Sequence, residues 1–182
     1  MKKKLIASIV IFCFVVTMGI GTVIAYFVSV SGPVVNTFTV GDIALELKDD
    51  TMDLIHLIPG TTVERSSVVT VVKESEDCYV YVKLECPSEL SEYVSYEMEE
   101  GWINLGGIDG VYYRQVERAS INQKYHVFQS DEISINNTLT KEKMSVLDDS
   151  GYVMKITAYA IQTMGMESPA DGWYNLLTEL EG

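Results

Sequence analysis

The chain has two histidines, His56 and His126. A zinc hydrolase needs paired imidazoles and a carboxylate base on one helix face, as in H-E-x-x-H. His56 lies in DLIHLIP and His126 in KYHVFQ, apolar or strand-like surroundings without that spacing. No serine stands in a G-x-S-x-G elbow, and neither Cys78 nor Cys86 has a histidine nearby in sequence to make it a nucleophile. GGIDG (Gly106–Gly110) lacks the following Lys-Ser/Thr and the strand-to-helix context of a phosphate loop. The acid pairs Asp49-Asp50, Glu99-Glu100 and Asp148-Asp149 lack the spacing of a calcium loop and read as solvated turns. The inventory therefore predicts no catalytic residue, no metal site and no cofactor.

The two cysteines instead report on a strand. In DCYVYVKLEC, Cys78 and Cys86 share an even phase with Val80, Val82 and Leu84, so all five point to one side. Eight extended residues hold the thiols roughly 26 Å apart, against a Cα limit of about 7 Å for a disulfide. They are expected to be buried free thiols. Tyr79, Tyr81, Lys83 and Glu85 then form the outer face.

The elements around this strand are mostly β. Thr37 to Val40 alternates, and the apolar phase slips by one residue at Gly41-Asp42 before Ile43, Leu45 and Leu47. Such a slip reads as a bulge or bend between two strand segments. Pro59-Gly60 is a turn signature, and Val68 to Val72 is a β-branched run buried on both faces. SEYVSYEM places Val94, Tyr96 and Met98 together, WINLGGIDGVYYRQV is a hairpin, and Tyr125, Val127 and Gln129 alternate in one further strand, with Ile133 and Ile135 as an apolar edge. Tyr152 to Gln162 returns as a long strand. Thr140 can cap a helix over KEKMSVLDD with Met144 and Leu147 inward, and Ser168-Pro169 can open another. In that last helix Trp173, Leu176, Leu177 and Leu180 form one stripe, expected to cover an end of the fold. The fold class is all-β: a jelly-roll-like antiparallel β-sandwich with one or two short helices.

Ahead of this domain, Lys2, Lys3 and Lys4 precede 26 residues, Leu5 to Val30, without a charge. A basic start and an apolar run describe an export signal, and about 20 apolar residues also suffice to span a bilayer. Cleavage near Ala25, Tyr26 and Phe27 and retention as an anchor both follow from such a segment; the small residues Gly19, Gly21, Thr22 and Ala25 favour cleavage. The division is thus a signal or anchor over 1–26 and a single β-sandwich domain over 27–182. Losing the first 26 residues removes three of the 13 Lys+Arg and none of the 26 Asp+Glu, moving the net charge from −13 to −16. That excludes nucleic acid and anionic lipid as partners, since both require basic surfaces. Membrane contact is expected only through the N-terminal segment.

KKKLIASIV, GTVIAYF and NTFTVGDIALEL, followed by IPGTTVERSSVVTV and YVYVKLE, resemble the TasA/camelysin group of secreted proteins of Gram-positive bacteria. The likeness covers most of the first 86 residues, with weaker echoes at Trp102, DGVYY and ITAYAIQ. It implies processing by a SipW-type signal peptidase, a jelly-roll-like sandwich, and a place at the cell surface or in the biofilm matrix. In fibre-forming members the mature N-terminal segment is donated to the next subunit. The corresponding arm here comprises Phe27, Val28, Val30, Val34, Val35, Phe38 and Val40, and self-association with identical or related chains is the expected partnership. The group's metalloendopeptidase label is the alternative, for which the chain offers no zinc motif. A third reading is a monomeric surface binding domain using Tyr79, Tyr81, Tyr112 and Tyr113 as an aromatic face.

Overall fold

The computed structural model describes residues 36–49, 58–143 and 154–181. Among these residues, eleven strands and two helices follow in order: β1 (Asn36–Val40), β2 (Leu45–Asp49), β3 (Thr62–Glu64), β4 (Ser67–Val71), β5 (Cys78–Glu85), α1 (Ser88–Ser91), β6 (Val94–Met98), β7 (Ile103–Asn104), β8 (Val111–Val116), β9 (Gln123–His126), β10 (Phe128–Ile135), β11 (Lys155–Gln162) and α2 (Pro169–Glu181). They make a five-stranded sheet β1-β11-β5-β8-β7 and two three-stranded sheets, β2-β4-β9 and β3-β10-β6. The crossovers between non-sequential strands are those of an antiparallel, jelly-roll-like sandwich, with β1 against β11 the parallel exception. Residues 35–182 form one compact unit. The segment 1–26, the arm from Phe27 to Val35, His56, Met144 and Leu147 lie outside the described residues.

Alternation explains the main core. The even residues of β5 meet Ile156, Ala158 and Ala160 of β11 on one side of the large sheet. Across from them stand Leu45 and Leu47, Val69 and Val71, then Phe128 and Ile133 from the two smaller sheets. Cys78 is buried and Cys86 half-buried, both free thiols, as their phase requires.

The odd residues of β5 depart from expectation. Tyr81 is fully buried, because α2 lies across the outer face of the five-stranded sheet rather than at an end of the sandwich. Trp173 and Leu176 pack there with Tyr79, Tyr113, Tyr159 and Ile161, forming a second core. Ser168 Oγ accepts the Asp171 N–H at 3.1 Å, so the expected cap opens the helix. Gly172 allows the close approach, since a Cβ there would sit 2.6 Å from the Tyr81 hydroxyl. Beyond the reach of α2 the same sheet face becomes charged, with Lys83 and Lys155 flanking Glu85 at 2.8 and 3.7 Å.

Two features read within the strand pattern, one as a bend and one as a single strand, are sheet changes. The phase slip at Gly41-Asp42 is where the chain leaves the large sheet for β2-β4-β9. The single strand read around Tyr125, Val127 and Gln129 is β9 followed by β10 in another sheet, with Val127 and Phe128 buried in succession at the switch.

Arg65, in the link from β3 to β4, binds the three sheets at this seam. Its Nε and Nη2 donate to Asp49 of β2 at 3.2 and 2.7 Å, and Nη2 also donates to the Met154 carbonyl at 3.0 Å, just ahead of β11. Its backbone N–H donates to the Asp131 carbonyl of β10 at 2.6 Å, and Ser67 Oγ donates to Asp49 at 2.8 Å. The Arg65 side chain is only 2% exposed, so its charge depends on Asp49. Asp49→Ala is expected to lose about 3–5 kcal/mol in urea unfolding. The apolar pair Asp49→Leu with Arg65→Met, which leaves no charge unpaired, is expected to recover most of that.

Candidate functional site

Of the residues the sequence singles out, Phe38 and Val40 fall on β1; Ala25, Tyr26, Phe27, Val28, Val30, Val34 and Val35 lie outside the described residues. The candidate site is therefore the edge that β1 makes. Its backbone runs parallel to β11 in a ladder from Asn36↔Thr157, through Phe38↔Tyr159, to Val40↔Ile161. Its other side has no partner strand among the described residues.

This edge differs from the rest. Natural edge strands are usually guarded by charge, proline, bulges or shortness. Here β2 carries Glu46, Lys48 and Asp49, β3 Glu64, β6 Glu97 and β9 Lys124, while β7 has two residues. Among the described edge strands, only β1, NTFTV, is both five residues long and free of charge. Thr37 is half-buried and Thr39 exposed, while Val40 packs against the second core under α2.

Gly41 ends the strand at φ +100°. A Cβ there would lie 2.5 Å from the Gln162 side chain at the end of β11. The left-handed backbone and the close approach together turn the chain out of the large sheet. Ile43 N–H closes that turn on the Gly41 carbonyl at 3.0 Å.

The tyrosines do not form one surface. Tyr79, Tyr81 and Tyr113 share the outer side of the large sheet, with ring centroids 6.4–6.5 Å apart, but Tyr81 is sealed by Trp173 at 5.2 Å and donates its hydroxyl to the Pro169 carbonyl at 2.7 Å. Burial pushes its pKa upward. Tyr112 points the other way, into the main core. The aromatic face proposed from the sequence is thus an internal stack, corrected by the position of α2. Among the described residues, the cation held against rings is Arg114. Its guanidinium lies 4.4 Å from the Tyr125 centroid and 5.2 Å from that of Trp102, while donating to the Glu100 and Gly101 carbonyls.

His126 is half-exposed and pairs with Asp131 at 2.9 Å. Among the described residues no group of three or more His, Cys, Asp or Glu could hold a metal ion. Cys78 is held as the unreactive thiol: burial, then the Asp77 charge, raises its pKa from 9.0 to about 12. Burial raises Tyr96 from 10.0 to about 12 in the same way.

Two outcomes are expected. A group that stays protonated longer when folded favours unfolding as pH rises, because only the unfolded chain releases the proton. Stability should therefore fall between pH 9 and about 12, and Cys78→Ala should flatten that slope in urea midpoints measured against pH. Gly41→Val should cost at least about 1 kcal/mol, and hydrogen exchange should show β1 losing protection before β5.

Compared with known proteins, the chain is matched by no family model, no curated protein and no solved structure.

Proposed function

We propose that this is an exported structural protein of the cell surface or matrix, which self-associates by adding the segment ahead of β1 to a neighbour's sheet. The observation that carries the reading is the unguarded edge. An uncharged, β-branched strand lies at the margin of the large sheet, and it is preceded by Phe27–Val35, itself uncharged and rich in valine. Exposed edges of this kind are templates for strand addition, with main-chain hydrogen bonds giving affinity and alternate side chains giving register.

The TasA/camelysin resemblance supports the same reading and supplies its processing partner, a SipW-type peptidase acting near Ala25, Tyr26 and Phe27. Assembly in this reading needs no cofactor. The acidic composition suits a chain kept soluble until strands pair, because like charges oppose non-specific contact.

Deleting Phe27–Val35 is expected to abolish filaments seen by electron microscopy and leave a monomer on size exclusion. Filaments of undiminished number and length would overturn the proposal. Purified protein is also expected to cleave no casein in a chelator-sensitive manner, which separates assembly from the metalloendopeptidase alternative.

A further inference from the structure

The solvent face of β3-β10-β6 carries a rung of three exposed hydroxyls. Thr62 of β3 stands opposite Ser134 of β10, and Ser134 stands opposite Ser95 of β6. Neighbouring strands are about 4.8 Å apart, so the rung is a short row of polar groups across the sheet. A depression lies on each side, of about 360 and 390 Å³, and both are lined by Ser95 and Ser134.

Each depression has a backbone cause. The first lies below the Pro59-Gly60 turn, which is tied to β10 by the Gly60 N–H to the Ile135 carbonyl at 3.0 Å. Tyr93 stands in its wall, accepting the Asn136 N–H on its carbonyl at 2.7 Å. The second occupies a bulge in β10. Phe128 pairs with Met98 and Ile133 with Tyr96, so Gln129 to Glu132 are set against the single residue Glu97. Ser130 and Asp131 make that bulge with left-handed backbones, φ 56° and 55°. The Asp131 carbonyl accepts from Arg65 and its carboxylate pairs with His126, which fixes the bulge from its inner side.

The linings select a ligand class. Hydroxyls come from Thr61, Thr62, Ser95 and Ser134, and carboxamides from Asn136, Asn137 and Gln129. Carboxylates come from Glu92, Glu97 and Glu132, and among the described residues no Lys, Arg or His lines either depression. Anions are therefore repelled. Apolar ligands would strand these polar groups without partners, at a cost in desolvation. The carboxylates do not converge into a metal-holding group among the described residues. What fits is a molecule dense in hydroxyls that both donate, to carboxylates and amide oxygens, and accept, from hydroxyls and amide NH2 groups. The half-buried Tyr93 adds a ring with an apolar body.

We propose that the two depressions form one groove for a neutral oligosaccharide, with a sugar ring in each and the linkage over Ser95 and Ser134. Each volume lies in the lower range of small-ligand sites, roughly 300–1,000 Å³. The groove lies on a different sheet from β1 and does not depend on assembly.

The test uses the full 15N-labelled chain in a phosphocholine detergent, which carries no sugar headgroup to compete. It is titrated with hexamers of glucose, xylose and N-acetylglucosamine, all β-1,4-linked. Oligogalacturonate and the glucosamine hexamer serve as the anionic and cationic counterparts. At least one neutral hexamer is expected to shift the backbone amides of Ser95, Ser134 and Asn136 saturably, and equally at low salt and at about 0.5 M, where charge attraction is screened. Ser134→Lys is expected to weaken that binding at least about tenfold. Ser95→Lys provides the same block at a second position, and the amide map reads the site without any variant. Neutral sugars that shift none of these amides would overturn the proposal. So would binding confined to the glucosamine hexamer and lost in salt, or equal binding of oligogalacturonate.

Discussion

Arg65 carries a full positive charge into the seam of the sandwich, and three sheets meet around it. Its side chain reaches Asp49 on β2 and the Met154 carbonyl ahead of β11, while its backbone holds Asp131 on β10. A buried guanidinium leaves little freedom to its surroundings, because each N–H must find an acceptor in a fixed fork. Two chain crossings occur beside it, from β3 to β4 and from β9 to β10. The Val127 N–H donates to the Ser67 carbonyl at 2.8 Å where those crossings pass. The split of one layer into two small sheets thus has a specific anchor. The bulge that opens the polar groove is tied to the same residue.

The opposite layer depends on apolar burial. The five-stranded sheet packs the small sheets on one face and α2 on the other, so β5 and β11 are hydrophobic on both sides along most of their length. Tyr81 reconciles the two demands by filling the second core with its ring and donating its hydroxyl to the helix start. Each large side chain sealed there, Trp173 and Leu176 among them, contributes about 1.5–3 kcal/mol. α2 is accordingly a third layer of the fold.

Much of this was legible where one physical signal dominated. Period-two alternation placed Cys78, Val80, Val82 and Leu84 inward, and the Ser168-Pro169 start and Trp173-Leu176 stripe marked α2. The sequence was less legible where side chains answer to long-range neighbours. Tyr79 and Tyr81 read as a solvated face, because the helix that covers Tyr81 lies some ninety residues away (Tyr81 bonds Pro169, 88 positions on). The β10 bulge was invisible, since Ser130 and Asp131 adopt left-handed backbones without a glycine to announce them. The hydroxyl rung could not be read at all: Thr62, Ser95 and Ser134 become neighbours only through cross-strand register. Nothing in the sequence around Arg65 announces its partners either, because Asp49 and Met154 reach it only in the folded chain.

The parallel pairing of β1 with β11 also imposes an order in time. Asn36 meets Thr157 and Val40 meets Ile161, so the first of the described strands waits for the last. A chain emerging from its N-terminus exposes β1 early and completes its template only after nearly the whole domain has been made. Contacts so distant in sequence form slowly, because loop closure must precede them. During that interval β1 is an unclaimed strand, and any other strand that reaches it first competes with β11 in a kinetic race.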